Sequence, residues 1–235
     1  MKALLTPRHN EQEESHWLSV SDLMAGLMMV FLFIAVAFML DIKKDKEQMQ
    51  GVADAYQQTQ TEIYQALFEE FESDLKRWNA EIPPDSLTFV FRSPDLVFDE
   101  GKTEIKPEFK ALLSNFGPRY FAVLKPFESS IKEIRIEGHT SSGWNKETPV
   151  EEHYFKNMKL SQDRTRSVLA FLSEIAAESF QQNLLKEKVV AVGYSSSQLI
   201  LNKFGKEDKV ASRRVNFTVI TNADAELRKL FSNNT

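Results

Sequence analysis

The feature that most restricts this chain is a run of 18 uncharged residues from Leu23 to Leu40, LMAGLMMVFLFIAVAFML. As a helix it reaches ~27 Å, close to the ~30 Å hydrocarbon thickness of a bilayer. A cleaved signal peptide has a shorter apolar core and a small-residue cleavage site. Here Met39-Leu40 passes straight into DIKKDKEQ. The run therefore reads as one uncleaved transmembrane helix over residues 17–40, with Trp17 as an interfacial anchor. Lys2 and Arg8 precede it, and Lys43, Lys44 and Lys46 follow it, so the basic residues alone do not favour a cytoplasmic N-terminus.

Asp22 sits at the edge of that run. An ionised carboxylate at mid-membrane costs about 2.5–3.5 kcal/mol, and less near the interface. Two readings stand. In one, Asp22 caps the helix, since SVSD offers cap-type residues and carboxylates suit helix N-termini. In the other it is the working group. Ala25 and Gly26, three and four positions on, keep that face small enough for a second helix. Ser19 and Ser21 offer hydroxyls to a carboxylate that gains and loses a proton or sodium ion.

Composition excludes several functions. The formal charge is −5, from 29 Lys+Arg against 34 Asp+Glu, with no basic tract, which argues against nucleic acid as a partner. Without cysteine there is no disulfide scaffold, thiol nucleophile or cysteine-ligated metal. There is no G-x-S-x-G or H-E-x-x-H, and the four histidines are scattered, so no catalytic or metal residue is assigned and the protein is not expected to be an enzyme.

The chain divides into a tail (1–16), the span (17–40), a linker or stalk helix (41–82), a compact domain (83–221) and a C-terminal tail (222–235). Tyr64, Phe68, Phe71, Leu75 and Trp78 follow a 4-3-4-3 spacing, the stripe of a helix packed on the next domain or of a short dimerising coil. Strand patterns appear at 87–91, 131–139, 189–194 and 214–220. Helix patterns appear at 107–124, where Gly117-Pro118 threatens an interruption, and at 160–180, where Ser161 is a plausible cap. The order βαβαββ makes an α+β domain with a mixed sheet and helices on one face.

Three stretches of that domain, LVFDEGKTEIKPEFKALL (96–113), IRIEGHTSSG with LSQDRTRSV, and VGYSSSQ followed by SRRVNFTV, resemble the OmpA-like peptidoglycan-binding family. In that family a loop aspartate takes the ammonium of a stem peptide and a helix arginine takes its carboxylate. Arg164 falls on the arginine, while Ser141 stands where the aspartate would be. The resemblance implies a peptidoglycan pocket around Arg164, Ser141, Leu160, Asn157 and Tyr154. Either Asn157, Tyr154 or a carboxylate of the inserted stretch (Glu147, Glu151, Glu152) completes it, or glycan binding is weaker or different. The plainer alternative for Arg164 is an ion pair with Asp163 or Glu137. Arg213 and Arg214 lock the fold or flank the site, and His139 orders its loop.

A single span with an early aspartate, a linker and an OmpA-like domain is similar to the layout of the stator subunits MotB, TolR and ExbD. The WLSVSDLMAGLMMVFLFI segment and the GHTSS loop look closest to the MotB-like subunits of the Zorya anti-phage defence system. This resemblance implies a homodimer inside a pentameric ring of multi-span ZorA-like partners in the bacterial inner membrane. Its N-terminus would be cytoplasmic and its C-terminal domain periplasmic, on the wall. A proton or sodium ion would pass by Asp22, and no bound cofactor is implied. A flagellar stator subunit and a passive wall tether are the alternatives.

Overall fold

The computed structural model describes residues 11–84, 86–92, 97–145 and 147–222. The expected C-terminal tail, from 223 on, lies outside the described residues, as do residues 1–10. The chain falls into two compact units, residues 1–53 and 54–235.

Helix α1 spans Glu11–Leu75. Among the described residues it is the one helix long and apolar enough to cross a membrane. Its apolar side chains from Leu23 to Leu40 are all exposed, with Leu23 at 73% and Phe38 at 65%, as a lipid- or partner-facing segment requires.

In the second unit the end of α1 is core. Ile63, Leu67 and Phe71, each four residues apart on one helical face, are fully buried. Tyr64 and Leu75 pack at the margin of that face. The buried line is thus turned slightly from the predicted heptad stripe, because Ile63 and Leu67 face a domain rather than a partner coil.

After α1 the chain turns at Asn79, whose positive φ of 47° is one that asparagine tolerates. Strands β1 (Ala80–Glu81), β2 (Thr88–Phe91), β3 (Ile131–His139), β4 (Val189–Ser195) and β5 (Arg214–Thr221) follow. They form one sheet in the order β1-β2-β5-β3-β4. β3 and β4 pair in parallel and the other neighbours are antiparallel, which is the mixed sheet of an α+β domain. The short edge strand β1 has no signature in the sequence beyond its neighbouring prolines.

Helices α2 (Pro107–Leu124), α3 (Val150–Ile175), α4 (Ser179–Lys188) and the short α5 (Lys209–Ser212) complete the domain. α2 runs unbroken through Pro118. Proline withholds one backbone donor there, and burial of Phe116, Tyr120, Phe121 and Leu124 on the core side outweighs the loss. Phe116 lies within ring-contact range of Phe71, Phe89, Phe91 and Phe217, so α1, α2 and the sheet share one aromatic core.

α3 begins ten residues before the predicted start, since the inserted stretch from Val150 is already helical. Ser161 is therefore not a cap. It is fully buried in mid-helix, donating to Met158 O at 2.9 Å and accepting from Ser195 N at 3.1 Å. Gly138 and Gly193 let α3 lie directly on the sheet. A Cβ at Gly138 would stand 2.8 Å from Ser161 O, and one at Gly193 2.6 Å from Gln162 N.

Candidate functional site

The close seating of α3 on β3 and β4 sets the site. β3 ends in Gly138-His139, and Thr140 N donates to Ser195 O at 2.9 Å. The loop beyond is clamped from two sides. Asn157, buried on α3, donates its side-chain amide to Ser141 O at 3.1 Å and Gly143 O at 3.2 Å. Glu207 accepts from Ser142 N at 2.8 Å and from the Ser142 hydroxyl.

Arg164 lies two turns beyond Asn157 on the same helix. Its Nε donates to Lys102 O at 2.9 Å and its Nη2 to Asp99 O at 3.0 Å. The guanidinium sits 4.8 Å from the Phe98 ring centroid. Neither proposed ion pair forms: Asp163 is taken by Lys159 at 2.6 Å, and Glu137 faces the other side of the sheet with His139 and Asn216. Burial, with the charge of Arg213 adding to it, pulls the Arg164 guanidinium down to about 10. The backbone carbonyls orient the arginine without neutralising it, which leaves its charge for a ligand.

A cleft of about 450 Å³ opens here. Of the residues expected at the site, Ser141, Asn157, Leu160 and Arg164 line it. Tyr154 does not. Its carbonyl accepts from Ser195 Oγ at 2.7 Å and its ring meets Phe155 edge-on at 5.6 Å. The insert carboxylates Glu147, Glu151 and Glu152 are also absent from the wall, and Glu152 pairs with Lys156.

Glu100, Trp144 and Lys209 line it without having been singled out in the sequence, and Arg213, read as locking the fold or flanking the site, lines it too. Glu100 is the variable position of the FD-x-G stretch and Trp144 belongs to the insert. Lys209 arrives through α5, whose first turn is capped by Asp208 accepting from Val210 N and Ala211 N. Nothing local in the sequence joins these segments.

His139 points to the face of the sheet away from α3, because its neighbour Gly138 faces the helix. There it stacks parallel on Tyr194 at 5.0 Å and meets Glu137 at 3.6 Å and Asn216 at 3.2 Å. Burial lowers its pKa, with Arg214 adding to the effect against Glu137. Burial alone would raise Glu137, but hydrogen bonds from His139 and Asn216 outweigh it and hold the carboxyl below the usual range.

In the first unit, Asp22 lies eleven positions beyond Glu11, the first described residue of α1. It does not cap α1. Ser21 returns its hydroxyl to Trp17 O at 2.8 Å, and the Ser19 side chain lies outside the described residues. Around Gly26 the helix surface is open, with no atom within 4 Å of a would-be Cβ.

Comparison with known proteins places these features. Residues 97–216, from the FD-x-G stretch to the last strand, match the OmpA family. Across 220 residues the chain is 50% identical to the Zorya protein ZorB of Escherichia coli, covering 94% of each chain. This chain belongs to the ZorB family. Among solved structures it is similar to a MotB-like protein from Desulfovibrio vulgaris, at 17% identity and a TM-score of 0.49, over 72% of this chain and 93% of that one. It is also similar to the cell wall anchor of the type VI secretion system from Pseudomonas aeruginosa, at 21% identity and a TM-score of 0.45, over 66% and 96%.

Proposed function

We propose that this protein is the wall-anchored, ion-driven stator subunit of a Zorya-type anti-phage system. The observation that carries the reading is Asp22, the one charge between Trp17 and Leu40 and eleven residues inside an exposed apolar helix, in a chain of the ZorB family. A cap would explain a carboxylate at the helix start, and Asp22 is not there. A carboxylate in an apolar segment is costly unless a partner or an ion neutralises it.

In this reading two copies sit within a ring of multi-span ZorA-type subunits. The N-terminus is cytoplasmic, and the OmpA-family domain is periplasmic, where its wall ligand is found. A proton or sodium ion from the periplasm neutralises Asp22, permits a step of the ring, and leaves to the cytoplasm. Each charge that crosses yields about 2.3 kcal/mol per 100 mV. The domain's grip on peptidoglycan through Arg164 keeps this subunit from co-rotating. Its role is mechanical and ion-conducting, not enzymatic.

The test is phage plating on cells carrying the intact operon or the Asp22→Asn operon, with membrane levels of both subunits checked. Lost protection at equal abundance and assembly supports the ion site. Full protection reduces the protein to a wall-bound tether.

A further inference from the structure

Between β4 and β5 the chain raises a short hairpin. Leu201 pairs with Glu207 across it, Asn202 N donates to Lys206 O at 2.8 Å, and Asp208 N donates to Ile200 O at 2.8 Å. The turn is also braced from within. Asn202 Oδ1 accepts from Phe204 N at 2.9 Å and from Lys206 N at 3.2 Å, and Gly205 holds a left-handed φ of 73° that favours glycine. At the tip Phe204 is 76% exposed, with Lys203 Nζ 5.0 Å from its ring centroid and Lys206 exposed two positions on. One exposed apolar side chain is ordinary on a surface. An aromatic ring carried on a braced turn is different, because little further ordering is needed when it binds. The two carboxylates of the segment are engaged elsewhere, Glu207 with Ser142 and Asp208 with the start of α5, so the tip presents an aromatic ring among cations.

We infer that Phe204 is a platform for the sugar strand of the wall polymer, a second contact that lies outside the cleft. A pyranose ring presents C–H bonds of partial positive charge, which suit the negative face of an aromatic ring. Lys203 and Lys206 supply donors for the N-acetyl carbonyls of the sugars and attract the carboxylates of neighbouring stem peptides. Position favours the sugar strand over an anionic lipid surface. The base of the hairpin is tied to the rim of the cleft: Glu207 accepts from Ser142 N at 2.8 Å, and Lys209, two residues further on, lines the cleft itself. A stem peptide is joined covalently to its sugar strand, so a peptide end seated in the cleft brings sugars to that rim. The cleft then takes the peptide and the hairpin takes the strand that carries it. This inference rests on the wall-binding reading above and extends it from peptide to sugar.

The experiment is calorimetric titration of the full-length protein in detergent with two ligands. One is the free stem tripeptide ending in meso-diaminopimelic acid. The other is the same tripeptide carried on one N-acetylmuramic acid of a wall tetrasaccharide. Wild type should bind the sugar-bearing ligand roughly 3- to 10-fold more tightly than the free peptide. Phe204→Ala should bind both ligands alike, with the wild-type affinity for the free peptide and the wild-type melting temperature. Phe204→Trp should keep the preference, since the aromatic face remains. Equal wild-type affinity for the two ligands overturns the assignment and leaves the tip to a lipid or protein surface. A Phe204→Ala variant that keeps the preference overturns it too. So does one that weakens both ligands equally, because the ring would then shape the cleft rather than meet the strand. Wild type that binds neither ligand sinks the wall-binding reading itself, a result distinct from the others.

Discussion

The buried amide of Asn157 donates to the carbonyl of Ser141 across 3.1 Å and so fixes the loop that faces Arg164 from the same helix. Asn157 thus both lines the cleft and shapes its wall. Asn157→Ala leaves the Ser141 and Gly143 carbonyls without this donor, at a cost of about 1–3 kcal/mol. The expected outcome is weaker retention on purified peptidoglycan sacculi in a pull-down, with a modest loss in urea stability. Unchanged retention would mean that Glu207 alone holds the loop.

Gly138 and Ser161 set the seating of α3. A methyl at Gly138 would stand 2.8 Å from Ser161 O and 2.9 Å from Thr165 Cγ2, both on the rigid side of the contact. Gly138→Ala is expected to destabilise the domain by about 1–3 kcal/mol and to weaken wall binding, since Arg164 rides on the displaced helix. Equilibrium unfolding and the sacculus pull-down read the two effects together. Lost stability with full binding would separate the helix seat from the site.

Arg119 ties the last turns of α1 to α2. Its Nε donates to Glu70 at 2.6 Å and its Nη1 to Asp74 at 2.7 Å, and the guanidinium lies 4.7 Å from the Phe71 centroid. Arg119→Ala should cost about 1–3 kcal/mol, with Lys recovering part of it, because a point charge cannot reproduce the fork. Likewise, fragments starting at Asp54 should fold while fragments starting after Leu75 should not, since the latter lack Ile63, Leu67 and Phe71. Far-UV circular dichroism of the two fragments checks this.

The outer face of the sheet makes stability acid-sensitive. His139 has its pKa lowered by folding, so as pH falls the unfolded chain binds that proton first and stability declines below the ordinary imidazole range. Glu137 is also lowered, so its contribution is present above the ordinary carboxylate range and is lost as pH falls through its folded value. Both act in one direction. The melting temperature should fall from about pH 7 to pH 5, then further below about pH 4.5. His139→Gln should flatten the upper part and keep the lower. A melting temperature independent of pH over that range would contradict the assignment.

Short-range pattern made much of this protein legible. An unbroken apolar run of membrane length makes a helix a candidate span, and Asp22 stands out at its edge for that reason. Alternation located the four longer strands, and the motif around Arg164 pointed to the cleft, because these signals lie within a few residues of one another. Tertiary structure decided the rest. Whether Asp22 capped a helix depended on whether the chain is already helical ahead of it, as it is from Glu11 through Ser21. That the end of α1 is core rather than stalk depended on an aromatic cluster built from α1, α2 and β5, far apart in sequence. The lining of the cleft comes from the FD-x-G loop, the insert, α3 and the approach to β5, and only the close seating of α3 on Gly138 and Gly193 brings these segments to one wall. Local sequence encodes propensity and periodicity, whereas a binding wall assembled from four segments exists only after long-range burial has placed them.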